Sequence, residues 1–472
     1  MEKKNSLLVF ADFAAKTTYD TLPPELISYT RQLLLDTLGC GVAGMASDKG
    51  KWGIDFVRRC YGAPGPATVL GYGDHLGIMG AAFANAELIN GLDFEPAGLH
   101  VPPYVLPPVL ALAEAYHSNG REVITAAVVA LEIATRIAKG LLPAPKYVEN
   151  GKETGISTVF GPCSTVFGAA AGAAKLKGFD ASGIAQAMGL AGVLSPVPSQ
   201  ASMHRDLPVN SGKYMMAGWG AQAGITAAEL IQSGHRGNLH VLDSDFGYWR
   251  FTAQSGWDSE KALQDLGQTW MFMTTTPYKR FPCCGMMHGG LECLLALLSE
   301  NEIKPQEIQH IHVRLDPTSS EGMFHTVALR NQIDTQFSVR YNMALAACGI
   351  RPGLLWQDAS NLNSPEVQGM MEKITTGVHP ACAAAMEKDP RARIVDVEVS
   401  ARGRRFYKQL EFIKGTVTAG AAMEVTQEER LQKFRDNTML FLSAQKVEMA
   451  IRAFEHLEEA ADFGAVMALL HV

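Results

Sequence analysis

Apolar residues recur at helical spacing through the first half of the chain. Pro24-Glu25-Leu26-Ile27 opens the first clear case: proline suits the first helical position, and Ile27, Leu33, Leu34, Leu35 and Leu38 recur near helical spacing before Gly39. The same spacing predicts helices over 80–92, 105–116, 123–139, 166–177, 184–194 and 215–233. These segments are rich in alanine and apolar on nearly every side, so they belong inside a large helical core where small side chains permit close approach. After Thr274 the period changes. Residues 308–315 alternate apolar and polar, as do 394–399, and 405–410 is placed to pair with the latter across Ala401-Arg402-Gly403. Helical spacing over 281–298 and 337–348 accompanies these strands. From Thr426 to Leu470 the helical pattern returns, with Thr426 and Glu429 in capping-box spacing. Residues 140–153 read as a mobile loop. The expected fold is mainly α: a large all-helical domain made of residues 1–270 and 413–472, with a smaller inserted α+β lid domain over 271–412.

Composition narrows the function classes. A chain of 472 residues has room for two or three domains. Its net charge of −7, with 19% charged residues, gives no electrostatic reason to bind nucleic acid. No stretch approaches the roughly 18 to 20 unbroken apolar residues of a membrane span, and the run Leu7 to Phe10 is too short for a secretory signal. A cytoplasmic protein with reduced thiols is expected. The eight cysteines form no C-x-x-C pair, which argues against structural zinc. Gly39-Cys40-Gly41-Val42-Ala43-Gly44 satisfies G-x-G-x-x-G, but a helix precedes it where a dinucleotide site needs a strand. It reads as a helix end with a tight glycine turn, and neither metal nor nucleotide cofactor is expected.

Three clusters of ionisable residues sit in apolar or glycine-rich sequence, where charge is costly unless paired or used. Asp93-Phe94-Glu95 follows an apolar helix end, and His100 stands seven residues after Asp93, just before a helix expected to start near Pro107. Asp93 either orients that imidazole as an acid or base, or merely caps the loop. His204, Arg205 and Lys213 lie in the stretch leading into the helix expected from Met215, and Lys279 and Arg280 precede the one carrying His288. Backbone N–H groups at a helix start, joined by cations, suit an anion, although a solvated basic loop has the same composition. Cys283, Cys284 and His288 are a poor metal set, since adjacent cysteines cannot easily reach one tetrahedral ion.

The run from Asp93 through His100 to Pro107-Pro-Val-Leu-Ala-Leu-Ala-Glu-Ala resembles the MmgE/PrpD family. So do the small-residue helix at Gly168, Lys213 before Gly218 and Gly224-Ile-Thr-Ala-Ala, Tyr278-Lys-Arg-Phe-Pro with His288, and Phe337-Ser-Val-Arg-Tyr341. The family includes 2-methylcitrate dehydratase, cis-aconitate decarboxylase and iminodisuccinate epimerase. The resemblance implies a helical domain with an α+β lid, a homodimer, and a site between the domains that needs no organic cofactor. It places Asp93, His100, Lys213, Lys279, His288 and Tyr341 around a small polycarboxylate. The expected catalytic residues are His100, Asp93, Lys213 and Tyr341; Lys279, Arg280, His288, His204 and Arg205 are expected to bind substrate. Two departures stand out: Glu95-Pro96-Ala97 follows the first Asp where many members carry acidic and Thr residues, and Val159-Phe160 replaces a His-Pro pair. The function expected is a cofactor-independent lyase, a dehydratase or decarboxylase. The alternatives are an epimerase of a dicarboxylate and a non-catalytic helical binding protein.

Overall fold

The computed structural model describes residues 5–96, 100–159, 161–320, 322–416 and 424–472, so Ala97 and Phe160, named above, lie outside the described residues. The described chain is mainly α-helical. The alanine-rich segments form the helices Ile78–Asn90, Pro102–Ala115, Gly120–Gly140, Thr165–Leu176, Ala181–Ala191 and Ala217–Gln232. Small residues set how near they come. A Cβ on Gly168 would sit 2.2 Å from the Ala130 carbonyl oxygen, so no larger residue fits between those two helices. The helix expected from near Pro107 begins at Pro102, which takes the first-turn role and leaves Pro107 and Pro108 inside.

One hydrophobic core gathers these helices with side chains from both ends of the chain, from Leu7 to Phe272 and again from Phe434 to Leu470. Gln427–Thr438 and Ala444–Glu455 pack on Pro24–Ala43, the former helix opening on the capping box read from Thr426 and Glu429. A second core runs from Met203 to Ala401 around a four-stranded sheet. Its strand order is Arg404–Leu410, Val395–Ala401, Ile308–Leu315, Ile374–Val378, covered by His288–Glu300 and Val339–Ala347. The first three strands are antiparallel and the last is parallel. Arg402 and Gly403, both at positive φ, make the expected hairpin turn.

Four local expectations need correction. The helix from Pro24 continues through Gly39 and Gly41 to Ala43, and a Cβ on Gly44 would lie 2.1 Å from the Leu88 carbonyl oxygen. The G-x-G-x-x-G run is thus a packing surface, with Gly39 facing Phe434 and Gly41 facing Leu70. Residues 140–153 are not simply a loop: Leu141–Leu142 pairs with Gly256–Trp257, and Lys146–Glu149 pairs with Lys152–Ser157. Asn150 and Gly151, at φ 50° and 76°, form the turn, a hairpin signal that the prolines around it masked. Residues 281–284 are not helical, because Pro282 biases Phe281 toward extended backbone; the helix proper is His288–Glu300. Ile374–Val378 was not foreseen, since Ile-Thr-Thr-Gly-Val shows no clean alternation. No described helix is long and apolar enough to cross a membrane.

Candidate active site

A helix ends with unsatisfied carbonyls, and Ile78–Asn90 ends where the site begins. Five successive carbonyl oxygens there each accept a hydrogen bond from a different side chain. Lys213 Nζ donates to Asn90 at 2.7 Å, Gln336 Nε2 to Gly91 at 2.8 Å and Gln357 Nε2 to Leu92 at 2.7 Å. Lys279 Nζ donates to Asp93 and Lys433 Nζ to Phe94, both at 2.8 Å. Ammonium groups at a helix C-terminus also complement its dipole. The turn is therefore shaped by five residues far away in sequence, and it holds Asp93 at φ 55°.

The side chains of the turn meet the same cations. Asp93 Oδ1 lies 3.1 Å from Lys279 Nζ and 3.6 Å from Lys213 Nζ, and Asp93 Oδ2 accepts from the Tyr214 hydroxyl at 3.2 Å. Glu95 Oε1 is 3.0 Å from His100 Nδ1, while Asp93 Oδ1 is 3.8 Å away from it. Glu95, rather than Asp93, thus makes the hydrogen bond that orients His100. The Tyr214 ring stacks on His100 with centroids 4.1 Å apart. His100 and Tyr214 share positive φ with Asp93, at 52° and 60°, a conformation that a bulky residue keeps only where its surroundings enforce it.

Burial governs the electrostatics of this cluster. It raises the Asp93 and Glu95 pKa values, but Lys213 and Lys279 acting on Asp93, and the His100 hydrogen bond acting on Glu95, outweigh it and hold both carboxyls below their ordinary range. Burial lowers Lys213 to about 8 against the pull of Asp93 and Glu95. For Lys279 the same burial is outweighed by Asp93, its nearer partner, and the pKa is raised. Asp93, Glu95 and His100 offer three ligand-type atoms within 4.8 Å of one another. A divalent cation among them would sit against two ammonium groups, so this donor set does not fit a metal.

Two family descriptions match this chain: the MmgE/PrpD N-terminal domain over residues 9–260 and the MmgE/PrpD C-terminal domain over residues 281–459. The chain belongs to the MmgE/PrpD family. Among curated relatives, the cis-aconitate decarboxylase of Aspergillus terreus is 27% identical over 394 residues, 77% of this chain and 76% of that protein. The cis-aconitate decarboxylase of Homo sapiens is 25% identical over 476 residues, 95% of this chain and 91% of its own length. That of Mus musculus is 23% identical over 473 residues, covering 95% and 90%.

This MmgE/PrpD chain brings together four of the residues read from sequence, Asp93, His100, Lys213 and Lys279. Of the others, His288 borders the cluster beside Lys279, and the rest make their contacts elsewhere. Tyr341 is buried in the second core and donates its hydroxyl to the Trp356 carbonyl at 3.0 Å. His288 packs edge-on against Phe281, with Nε2 3.2 Å from the Cys283 carbonyl oxygen, and burial next to Lys279 lowers its pKa to about 3. His204 ends the short helix Gln200–Arg205 against the Phe324 ring, its pKa lowered to about 4 by burial and Arg205. The Arg205 guanidinium lies over Tyr147, and Arg280 faces Glu292 at 3.4 Å. Val159 forms an isolated antiparallel bridge with Ser199. Sequence reasoning gave no role to Tyr214, Glu95, Gln336 or Gln357. Tyr214 and Glu95 adjoin residues already singled out, which was the available signal; the glutamines carried none.

Proposed function

We propose that this protein is a lyase acting on a small polycarboxylate of the cis-aconitate type, losing carbon dioxide or water, with His100 as the group that moves the proton. The observation that carries this reading is the buried cluster of Asp93, Glu95, His100, Lys213 and Lys279, in a chain whose relatives are named cis-aconitate decarboxylases. Decarboxylation of cis-aconitate breaks the bond between the methylene carbon and its carboxylate. That electron pair becomes a new C=C bond, the old C=C bond opens, and its far carbon takes up one proton. The reaction needs cations beside the remaining carboxylates and one donor aimed at carbon.

The cluster offers both. Lys213 and Lys279 lie against Asp93, and Lys49 lies against Glu87 just behind them, so cations stand beside the turn that carries His100. The His100 imidazole, held by Glu95 on one ring nitrogen, is the donor the reaction needs. With Nδ1 on Glu95, Nε2 is the nitrogen left to face substrate. Lys213, lowered to about 8, holds a carboxylate below that pH. A cleft of about 360 Å³ lined by Ser199, Ser202, Asn210 and Trp219 ends on Tyr214, the residue stacked on His100, and is the entry route in this reading. The second core then serves as the lid, since Lys279, Gln336 and Gln357 reach the turn from the inserted segment, and the working unit is a homodimer.

Purified protein in deuterated water, given citrate, 2-methylcitrate, cis-aconitate and substituted succinates in turn, tests the reading. Carbon dioxide release from cis-aconitate, or a rise in ultraviolet absorbance from a hydroxy acid, is expected. Deuterium uptake without net conversion marks an epimerase instead, and silence on every compound refutes catalysis of this class.

A further inference from the structure

Behind His100 lies a chain of buried polar groups that takes no direct part in the proposed reaction. Glu95 Oε1 accepts from the Asn90 side-chain amide at 2.8 Å as well as meeting His100 Nδ1, while Glu95 Oε2 has no hydrogen-bond partner among the described residues. Both bonds therefore fall on one oxygen. The amide oxygen of Asn90 accepts from Lys49 Nζ at 2.5 Å. Lys49 also faces Glu87 Oε2 at 3.5 Å, and Glu87 Oε1 accepts from the Gly218 backbone amide, in the first turn of the helix that follows Lys213 and Tyr214. Lys49, Glu87, Asn90 and Glu95 are all at most 2% exposed.

An amide can present either its oxygen or its nitrogen, and a buried carboxylate is repelled by the former. Lys49 removes the choice: with its ammonium on Oδ1, only the Asn90 nitrogen is left for Glu95. Burying one lysine and two carboxylates behind the imidazole is hard to account for by packing alone, since apolar residues would fill the same volume more cheaply.

We propose that Asn90, held by Lys49, is a positioning residue that fixes the Glu95 carboxylate and, through it, the Nδ1–H form of His100. This rests on the reading of His100 as the proton-moving group. Charged and titratable groups face His100 from three directions: Asp93 and Glu95 on its own turn, Lys213 and Tyr214 ahead of helix Ala217–Gln232, and Lys279 from the inserted segment. A substitution at Asn90 leaves each of these side chains in place, whereas one at Lys49 also removes a cation that acts on Lys213, so Asn90→Asp is the cleaner arm of the test.

The test pairs kinetics on cis-aconitate with nitrogen NMR of histidine-labelled protein, the His100 signal being assigned by its loss in His100→Gln. In the wild type the ring should show the Nδ1–H tautomer. Asn90→Asp keeps the shape, replaces the donor with an acceptor and adds negative charge, so the tautomer signature should weaken and the His100 titration midpoint should rise. Turnover should fall up to about 10²-fold with KM little changed, as expected for a misplaced catalytic group. Lys49→Met should reproduce the tautomer change and Lys49→Arg, which keeps a donor, should restore it. Wild-type tautomer, midpoint and kcat in Asn90→Asp and Lys49→Met, with only lowered melting temperatures, would overturn the proposal. If the wild type does not turn over cis-aconitate, the functional reading fails while the NMR arm still decides the positioning role.

Discussion

The helix Ile78–Asn90 and the turn that follows it are adjacent in sequence and built by opposite means. The helix closes its own hydrogen bonds and is buried through alanine, glycine and apolar side chains. The turn from Asn90 to Glu95 is just as buried, but the carbonyls of its first five residues are satisfied by Lys213, Gln336, Gln357, Lys279 and Lys433, and its carboxylates by Lys213, Lys279 and His100. A helix tolerates imprecise neighbours because its geometry is local. The turn has no such reserve, and its shape exists only when five distant segments arrive together. The catalytic candidates sit on the second kind of structure, where position is set by polar contacts that are expensive to leave unmade.

Breaking the charge balance of the turn should have the largest effect. Asp93→Asn leaves the Lys213 and Lys279 ammonium groups facing a neutral amide in a buried site, which should cost about 3–5 kcal/mol in urea unfolding and abolish turnover. A stability close to wild type would mean that the cluster is solvated and that the contrast with the helix is false. Next in size is His100→Gln. Its side chain is 12% exposed and touches the second core through the Tyr214 ring, so the fold should persist while kcat drops on the order of 10² to 10⁴ fold. An unchanged kcat with a lowered melting temperature would make His100 a packing residue.

How much of this was legible beforehand follows the same division. The alanine-rich helices and the strand at Ile308–Leu315 were visible because their periods are local, and so was the return of helices after Thr426. Asp93, His100, Lys213 and Lys279 were visible because ionisable residues in apolar sequence demand an explanation, and because their surroundings resemble a family. Gln336 and Gln357 were not visible, since an uncharged polar residue in a helical stretch carries no sign of what it bonds. Glu95 was named beside Asp93 and as a departure from the family pattern but given no role, although its carboxylate is nearer to His100 than that of Asp93. The contact of Tyr341 was not legible, because a tyrosine between apolar helix residues looks the same whether its hydroxyl meets substrate or, as in this structure, a carbonyl.

A smaller perturbation sharpens the comparison from the side of the glutamines. Gln357 donates to two carbonyls, Leu92 at 2.7 Å and Pro282 at 2.8 Å, so Gln357→Leu leaves both buried without a donor. About 1–3 kcal/mol should be lost in chemical denaturation, with kcat lowered because the turn loosens. The equivalent loss of an apolar contact within Ile78–Asn90, such as Ala84→Gly, should lower stability and leave kcat alone. Lys213 gives a test by pH. Its folded pKa of about 8 lies below the ordinary lysine value, so the ammonium is present below pH 8 and is lost as pH rises through it. If that ammonium holds substrate, kcat/KM should fall on the alkaline side with a midpoint near 8. Lys213→Arg, which stays charged, should remove that limb from the profile even where it lowers the overall rate. By linkage, stability moves in the other direction: the buried cation is disfavoured in the folded state, so its contribution improves as pH rises from about 8 toward the ordinary lysine value.

The smallest effect is expected at Tyr341, and it separates the two kinds of region most cleanly. Its hydroxyl donates to the Trp356 carbonyl inside the second core, and burial raises its pKa, which keeps the proton on the phenol oxygen near neutral pH. Tyr341→Phe keeps the ring and removes one hydrogen bond. The Trp356 carbonyl loses its donor, which should cost on the order of 1 kcal/mol in thermal or chemical unfolding. Because the ring still packs and the turn at Asp93 is untouched, kcat and KM on the substrate found in the panel should stay at wild-type values. A fall in kcat on the order of 10² fold at unchanged stability would show instead that Tyr341 reaches the reacting atoms, which requires the second core to move relative to the turn during turnover.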